Sequence, residues 1–111
     1  MTSRNLFAAV VGTMVLSGFM ALAADHAPSA LFVQKCAKCH GEDGKAETPK
    51  GKKMKARDFT DPEFQGHKSD KDLIEAVKNG TDKDMPAFGK VLSEDEIEKL
   101  VKEDVRGFAR K

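Results

Sequence analysis

Apolar and polar residues follow two patterns along this chain: a continuous apolar run near the start, then helical periodicity. The run LFAAVVGTMVLSGFMALAA, residues 6–24, carries no charge, and charged sequence begins at Asp25. Beyond it, apolar residues recur at the three- and four-residue spacing of helices, and no useful stretch has the alternation of a strand. Helices are expected from about Ala30 to Cys39, from Ser69 to Asn79, and from Ser93 to Val105. The pattern therefore predicts an all-α protein with three main helices.

Capping residues and loops support these boundaries. A serine precedes each predicted helix, and in the second and third an acidic residue follows three positions later, which is the pattern of a capping box: Ser29, Ser69 and Ser93. Residues 41–66 contain Gly, Pro, Lys and Asp without a period, which predicts a long irregular loop. A second loop, TDKDMPAFGKVL at residues 81–92, connects the second and third helices.

The apolar N-terminal run is typical of a secretory signal peptide. Arg4 precedes it, and Ala21-Leu22-Ala23 has the small-x-small pattern of a cleavage site. We therefore expect residues 1–23 to be a signal peptide and residues 24–111 to form one exported domain, located in a bacterial periplasm. The alternative is an uncleaved anchor helix, which would attach the protein to a membrane. Glycine, serine and threonine positions within the run weaken that alternative.

Composition and charge describe a small domain without a strong electrostatic preference. The formal net charge of the chain is +1, and the domain becomes neutral when Arg4 leaves with the signal peptide. Cations concentrate between Lys35 and Arg57, but the aromatic residues that nucleic-acid binding favours are not interleaved with them, so no nucleic-acid partner is expected. A domain this small is marginal without a disulfide, a metal or another staple. We therefore expect a bound group to fill part of the core.

Both cysteines of the chain lie in one motif, Cys36-Ala37-Lys38-Cys39-His40. A structural zinc site would need a second ligand pair, and a thioredoxin-like redox pair would need a βαβ pattern. A disulfide at this spacing would close a loop too small to stabilise much. The remaining alternative is covalent haem c, for which C-x-x-C-H is the attachment signature. Residues three apart share a helix face, so both sulfurs can reach one porphyrin edge while His40 ligates the iron.

Four side chains are candidates for the opposite axial position: Met54, Met85, His26 and His67. Met85 precedes Pro86 in a loop, where a methionine is not usually core packing and the proline stiffens the chain. We expect His67 to be solvated and His26, beside the cleavage point, to be mobile. Met85 is the predicted ligand. A methionine ligand raises the haem potential, whereas an open position would permit ligand chemistry.

Three groups of residues share their order and spacing with a known family. They are C-x-x-C-H-G at residues 36–41, D-G-K at 43–45, and M-P-A-F at 85–88 followed by an acidic helix. In this pattern the chain resembles the small monohaem class I cytochromes c, and is similar to the bacterial cytochrome c6 and cytochrome c-555. The resemblance covers about residues 28–109.

The resemblance implies a class I cytochrome c fold, in which terminal helices cross beside one haem held by His40 and Met85. It also implies that Pro49 offers its carbonyl to His40 Nδ1, fixing the ring, and that cations near Arg57 are candidates to pair with the haem propionates. Two features depart from the family. The last helix lacks a Tyr or Trp, which predicts a shifted register or a looser crossing, and the first loop lacks a Gly-Pro pair.

The function implied is electron transfer rather than catalysis, with transient redox donor and acceptor proteins as partners and a monomeric state. Lys35, Lys38 and Lys45 are expected to steer an acidic partner. The alternative from another class is a haem-based sensor or a ligand-binding, peroxidase-like protein. In that case Met85 would dissociate, and carbon monoxide, nitric oxide or peroxide would bind.

Overall fold

The computed structural model describes residues 26–82 and 84–109, and within them the chain forms short helices and no strand. The α-helices of these ranges are α1 (Ala30–Lys35), α2 (Ala37–His40), α3 (Pro49–Met54), α4 (Pro62–His67), α5 (Asp70–Asn79) and α6 (Glu94–Lys99). Helix α6 continues as a π-helical segment, Leu100–Val105, and then a 3₁₀ turn, Arg106–Ala109. The all-α prediction is confirmed. The expected signal peptide, residues 1–23, lies outside the described residues.

None of the helices in these two ranges combines the length and the hydropathy that crossing a bilayer needs.

The predicted serine caps are all present. Ser29 Oγ accepts a hydrogen bond from the Phe32 amide at 3.2 Å. Ser69 and Ser93 each belong to a complete capping box at the start of α5 and α6. Helix α5 ends at Asn79, as expected.

The prediction of one irregular loop over residues 41–66 is wrong, because α3 lies within it and α4 begins within it. Both helices begin with a capping side chain followed by a proline in the first turn, Thr48-Pro49 and Asp61-Pro62. Proline is favourable there because the first amides of a helix have no intrahelical partner. These dipeptides were helix-start signals within a segment otherwise rich in loop-forming residues.

The first predicted helix is divided at Cys36. The backbone of this residue has φ −119° and ψ −33°, and Cys36 separates α1 from α2. Hydrogen bonds still cross the junction, from the Cys36 amide to the Phe32 carbonyl at 2.8 Å and from the His40 amide to the Cys36 carbonyl at 3.0 Å. The motif therefore remains on one continuous helical path.

The crossing of the terminal helices is tightly packed. Phe32 of α1 and Val101 of the π-helical segment are both 0% exposed, and the rings of Phe32 and Phe108 have centroids 5.3 Å apart. A looser crossing is therefore the wrong expectation. A π-helical segment spreads each turn over more residues than an α-helix and so shifts the register of the side chains that follow. The aromatic ring at this crossing comes from Phe108, which lies in the 3₁₀ turn after the last helix and not within the helix itself.

A buried carboxylate joins the two ends of the described chain. Asp104, 3% exposed, accepts hydrogen bonds from the Ser29 amide at 2.8 Å and from Ser29 Oγ at 2.7 Å. His26 Nε2 lies 3.7 Å from Asp104 Oδ1, and the His26 ring packs edge-on against Phe108. His26 is thus packed between Asp104 and Phe108 in this structure, and its expected mobility stays a prediction.

A polar network fixes α4 against the end of the last helix. Gln65 Nε2 donates to the carbonyls of Phe59 at 2.7 Å and Val105 at 2.9 Å. Arg106 donates to Gln65 Oε1 at 2.8 Å and to Asp70 Oδ1 at 2.8 Å. These bonds hold the segment that carries Phe59, a residue of the cavity wall, against the last helix.

Candidate functional site

A cavity of about 660 Å³ opens beside the Cys36–His40 motif, within the range of cofactor sites in proteins. Its apolar wall is formed by the following side chains: Phe59, Phe64, Leu73, Ala76, Val77, Phe88, Val101 and Val105. Most of these residues also belong to the hydrophobic core. The core is therefore built around a space that a large apolar group would fill.

Cys36 and Cys39 both line this cavity, as expected for residues three apart on one helical face. They form no disulfide with each other, and both are partly buried. Burial, with smaller contributions from the charges of Asp104 and Cys39, raises the pKa of the Cys36 thiol to about 11. An unreacted Cys36 thiol would therefore be neutral at neutral pH in this fold.

His40, 9% exposed, also lines the cavity, and its orientation is fixed by two contacts. Its ring stacks on Phe59 with centroids 4.2 Å apart and planes at 17°. Its Nδ1 atom lies 3.1 Å from the carbonyl oxygen of Arg57. A carbonyl can only accept, so Nδ1 carries the proton and Nε2 keeps the lone pair that a metal needs.

The identity of this carbonyl corrects the expectation for Pro49. Nδ1 of His40 faces Arg57, whereas Pro49 is the exposed first residue of α3. The physical reason is that residues 49–54 form a helix and the chain returns to His40 only after it, at residue 57. A backbone carbonyl leaves no mark in the sequence, so the Arg57 contact had no signal by which to find it.

Burial lowers the pKa of His40, and the hydrogen bond to the Arg57 carbonyl opposes this shift to a smaller extent. The net effect favours a neutral imidazole, which is the form that binds metal ions. The hydrogen bond and the burial thus act on different properties of the same ring. One orients it, and the other keeps it unprotonated.

Helix α3 and its capping residue contact the backbone of the Cys36–His40 motif through Gly51 and Thr48, which were not predicted from the sequence. A Cβ atom at Gly51 would lie 2.1 Å from the carbonyl oxygen of Cys39, so only glycine permits this approach. Thr48 Oγ1 lies 2.9 Å from the same Cys39 carbonyl and donates to it. The backbone carrying the second thiol is therefore held by the first turn of α3.

Of the four candidates for the second axial position, the structure brings two into the cavity. Met54 and Met85 both line it. His67 is exposed and lies 4.0 Å from Glu63 on the surface of α4. His26 packs against the last helix and does not line the cavity. Thioether sulfur is therefore the second type of donor that these four candidates bring to the cavity.

The rim of the cavity is cationic. Asp72 and Asp84 are its acidic members, against six exposed basic residues among those described: Lys35, Lys38, Lys50, Lys55, Arg57 and Lys68. The Arg57 guanidinium lies over the Phe64 ring, 5.2 Å from its centroid. Lys45 is exposed but does not line the cavity.

The donor set fits a covalently attached haem better than a bare metal ion. The cavity combines two thiols on one helical face, a neutral buried imidazole, two thioethers and an apolar wall. In the described part of the chain, no three His, Cys, Asp or Glu side chains converge as a metal-ion cluster. The zinc alternative therefore receives no support from these residues.

Comparison with known proteins points to one family. Residues 23–102 match the family model described as "Cytochrome C oxidase, cbb3-type, subunit III". The chain is 41% identical to the structure titled "KustC0563 c-type cytochrome", over 70% of this chain and 92% of that one, with a TM-score of 0.66. It is 25% identical to the structure titled "c-type cytochrome NirC", over 73% of this chain and 87% of that one, with a TM-score of 0.52. Comparison with the curated proteins found no match.

The family match spans most of the chain, and the matched structures are c-type cytochromes with the same all-helical fold. Proteins of this kind are typically exported, carry haem c with its iron, and transfer electrons to and from redox partner proteins. The cavity and the C-x-x-C-H motif beside it agree with that assignment. The chain belongs to the cytochrome c family whose model is described as cbb3-type cytochrome c oxidase subunit III.

Proposed function

We propose that this protein is a monomeric, periplasmic electron carrier, not an enzyme, that transfers one electron at a time between redox proteins. In this proposal Cys36 and Cys39 hold haem c through two thioether bonds, and His40 and Met85 are the axial ligands. The observation that carries it is that all four side chains line one apolar cavity. When bound there, haem c supplies the one-electron couple of its iron.

The residues on the His40 side hold one ligand in a fixed position. The Arg57 carbonyl accepts a hydrogen bond from Nδ1–H of His40, and Phe59 stacks on the ring, so the imidazole is oriented before any metal binds. Such an outer hydrogen bond raises the basicity of a ligating histidine. A ligand that is held in this way does not need to move when the iron changes its charge.

On the opposite side, Met85 and the apolar wall control the potential. A thioether ligand favours the reduced iron, and the side chains of Phe64, Leu73 and Val101 exclude water from the cavity. Low dielectric also disfavours the extra positive charge of oxidised iron. Both effects raise the midpoint potential, which is the direction expected of a carrier that accepts electrons readily.

The axial assignment is tested by replacing Met85 with alanine. We expect the variant to lose the far-red absorption of the sulfur–iron bond and to have a lower midpoint potential, by on the order of 0.1 V or more, because axial ligation is a main determinant of haem potential. The measurements are the visible spectrum of the oxidised protein and a redox titration. The matched control is Met54→Ala, which removes the other thioether of the cavity and should keep the band.

If the band survives in Met85→Ala and disappears in Met54→Ala, Met54 is the ligand and the assignment is overturned. Carbon monoxide added to the reduced native protein separates electron transfer from ligand sensing. An unchanged spectrum supports a carrier whose two ligands stay bound. An immediate spectral shift would support the sensor or peroxidase-like alternative.

The cationic rim supports a further part of the proposal, that partners approach the cavity with an acidic surface. Raising ionic strength from about 0.01 M to about 1 M shortens the Debye length from about 30 Å to about 3 Å. We therefore expect oxidation of the reduced protein by an anionic metal complex to slow by about tenfold or more over that range. Stopped-flow measurement with a cationic complex as comparison should show no such slowing.

Charge reversal locates the effect. Lys38→Glu and Lys55→Glu change two rim residues and should weaken the salt dependence, whereas Lys99→Glu on α6 alters the net charge equally per residue without touching the rim. Equal effects of the rim and α6 variants would show that net charge, and not the rim, steers the encounter.

A further inference from the structure

The loop that carries Met85 is fastened to the C-terminal end of α5. The last carbonyls of a helix have no intrahelical partner. Here the Phe88 amide donates to the Val77 carbonyl at 2.8 Å, and the Gly89 amide donates to the Lys78 carbonyl at 3.0 Å. The amides of Phe88 and Gly89 thus satisfy carbonyls at the end of α5, as a helix cap would.

The part of the loop that leads from α5 to Met85 is closed by a separate hydrogen bond. The Thr81 amide donates to the carbonyl of Met85 itself at 3.1 Å. The backbone of the predicted ligand is therefore bonded back to the second residue after α5. Thr81 therefore links the position of the Met85 backbone to the end of α5.

Gly80 occupies the point where this arrangement is tightest. Its backbone has φ 74° and ψ −178°, a region that is essentially restricted to glycine. A Cβ atom there would lie 2.7 Å from the Met85 carbonyl oxygen and 3.0 Å from the Ala87 amide nitrogen. The loop can lie against the helix end only because position 80 has no side chain.

We propose that Gly80 is a positioning residue for the axial ligand. It allows the residues around Met85 to close onto α5, and this closure holds the thioether sulfur at the iron against competing ligands. The inference rests on the proposed function, in which Met85 is a ligand. Gly80 itself touches neither haem nor substrate, and it acts through the backbone of the loop.

The test is Gly80→Ala in the haem-loaded protein, with imidazole as the competing ligand. We expect a weaker far-red band, a lower midpoint potential and imidazole binding to the oxidised protein that is tighter by about tenfold or more. Tighter binding follows because a displaced methionine leaves the iron open in a larger fraction of molecules. A change of stability alone would not move the spectrum or the imidazole affinity of the folded protein.

The matched control is Gly66→Ala in α4, where an added Cβ meets no atom within 4 Å. It should leave the band, the potential and the imidazole affinity at native values. Gly89→Ala is the second variant, since its Cβ would lie 2.8 Å from the Lys78 carbonyl oxygen without any positive φ. It should shift all three readouts in the same direction as Gly80→Ala but less, and it carries the test if Gly80→Ala does not fold.

Failure of this inference can be told apart from failure of the axial assignment. If Met85→Ala loses the band while Gly80→Ala and Gly89→Ala keep native spectra and native imidazole affinity, Met85 remains a ligand and the positioning role is overturned. If Met85→Ala keeps the band, the axial assignment fails, and the positioning role falls with it.

Discussion

Replacing both thiols, as Cys36→Ser with Cys39→Ser, is expected to abolish covalent haem and with it the native fold. Serine oxygen does not form the thioether bonds that the proposal assigns to these positions. Without the bound group, an apolar cavity of about 660 Å³ would remain within the core, and burial of its wall is the main source of stability for a domain this small. Haem staining after denaturing electrophoresis, intact mass and far-ultraviolet circular dichroism measure the result.

The control for this experiment is Lys38→Ser, which alters an exposed position between the two cysteines. It should retain stained, covalently bound haem and native circular dichroism. A double-serine protein that still carried haem through denaturing electrophoresis would contradict the attachment sites. A colourless but natively folded protein would contradict the claim that the bound group completes the core.

The largest effect of a single core substitution is expected at Phe32. Its ring is 0% exposed and packs against Phe59 and Phe108 where the terminal helices cross. Phe32→Ala should lower the free energy of unfolding by about 3–5 kcal/mol, the usual range for a buried Phe replaced by Ala. Domains of this kind have only about 5–15 kcal/mol in total. Guanidinium unfolding of the haem-loaded protein, followed by circular dichroism, measures the change.

Val33→Ala is the matched control, because the neighbouring residue on α1 is 37% exposed and outside the core. It should lower stability by less than about 1 kcal/mol, because Val33 is partly exposed and lies outside the core, so the substitution removes little buried apolar surface. Similar losses at positions 32 and 33 would mean that the crossing is not the stabilising contact described above.

The elements that sequence could predict are those with a local chemical cause. Ser29, Ser69 and Ser93 cap their helices because a side-chain oxygen within reach of free amides is favourable wherever it occurs. The cavity residues Cys36 and Cys39 were predictable because three-residue spacing on a helix places two side chains on one face.

The elements that escaped prediction depend on contacts between distant parts of the chain. Pro49 was assigned a role that belongs to Arg57, because the choice between two backbone carbonyls depends on the path of α3 and not on side-chain type. The π-helical segment at residues 100–105 likewise has no local signal. Its register is consistent with burying Asp104 beside Ser29, 75 positions earlier. Helix α4 had a signal in Asp61-Pro62, which competed with the many loop-forming residues around it.

The bonds between Ser29 and Asp104 also have a consequence for folding. These two residues are 75 positions apart, so the crossing can form only after a long stretch of chain has closed on itself. Cys36 and Cys39 lie within that stretch, and while it remains open the packing around Phe32 and Phe108 is incomplete. A chain at this stage leaves both cysteines accessible for chemical attachment before the globule closes over them.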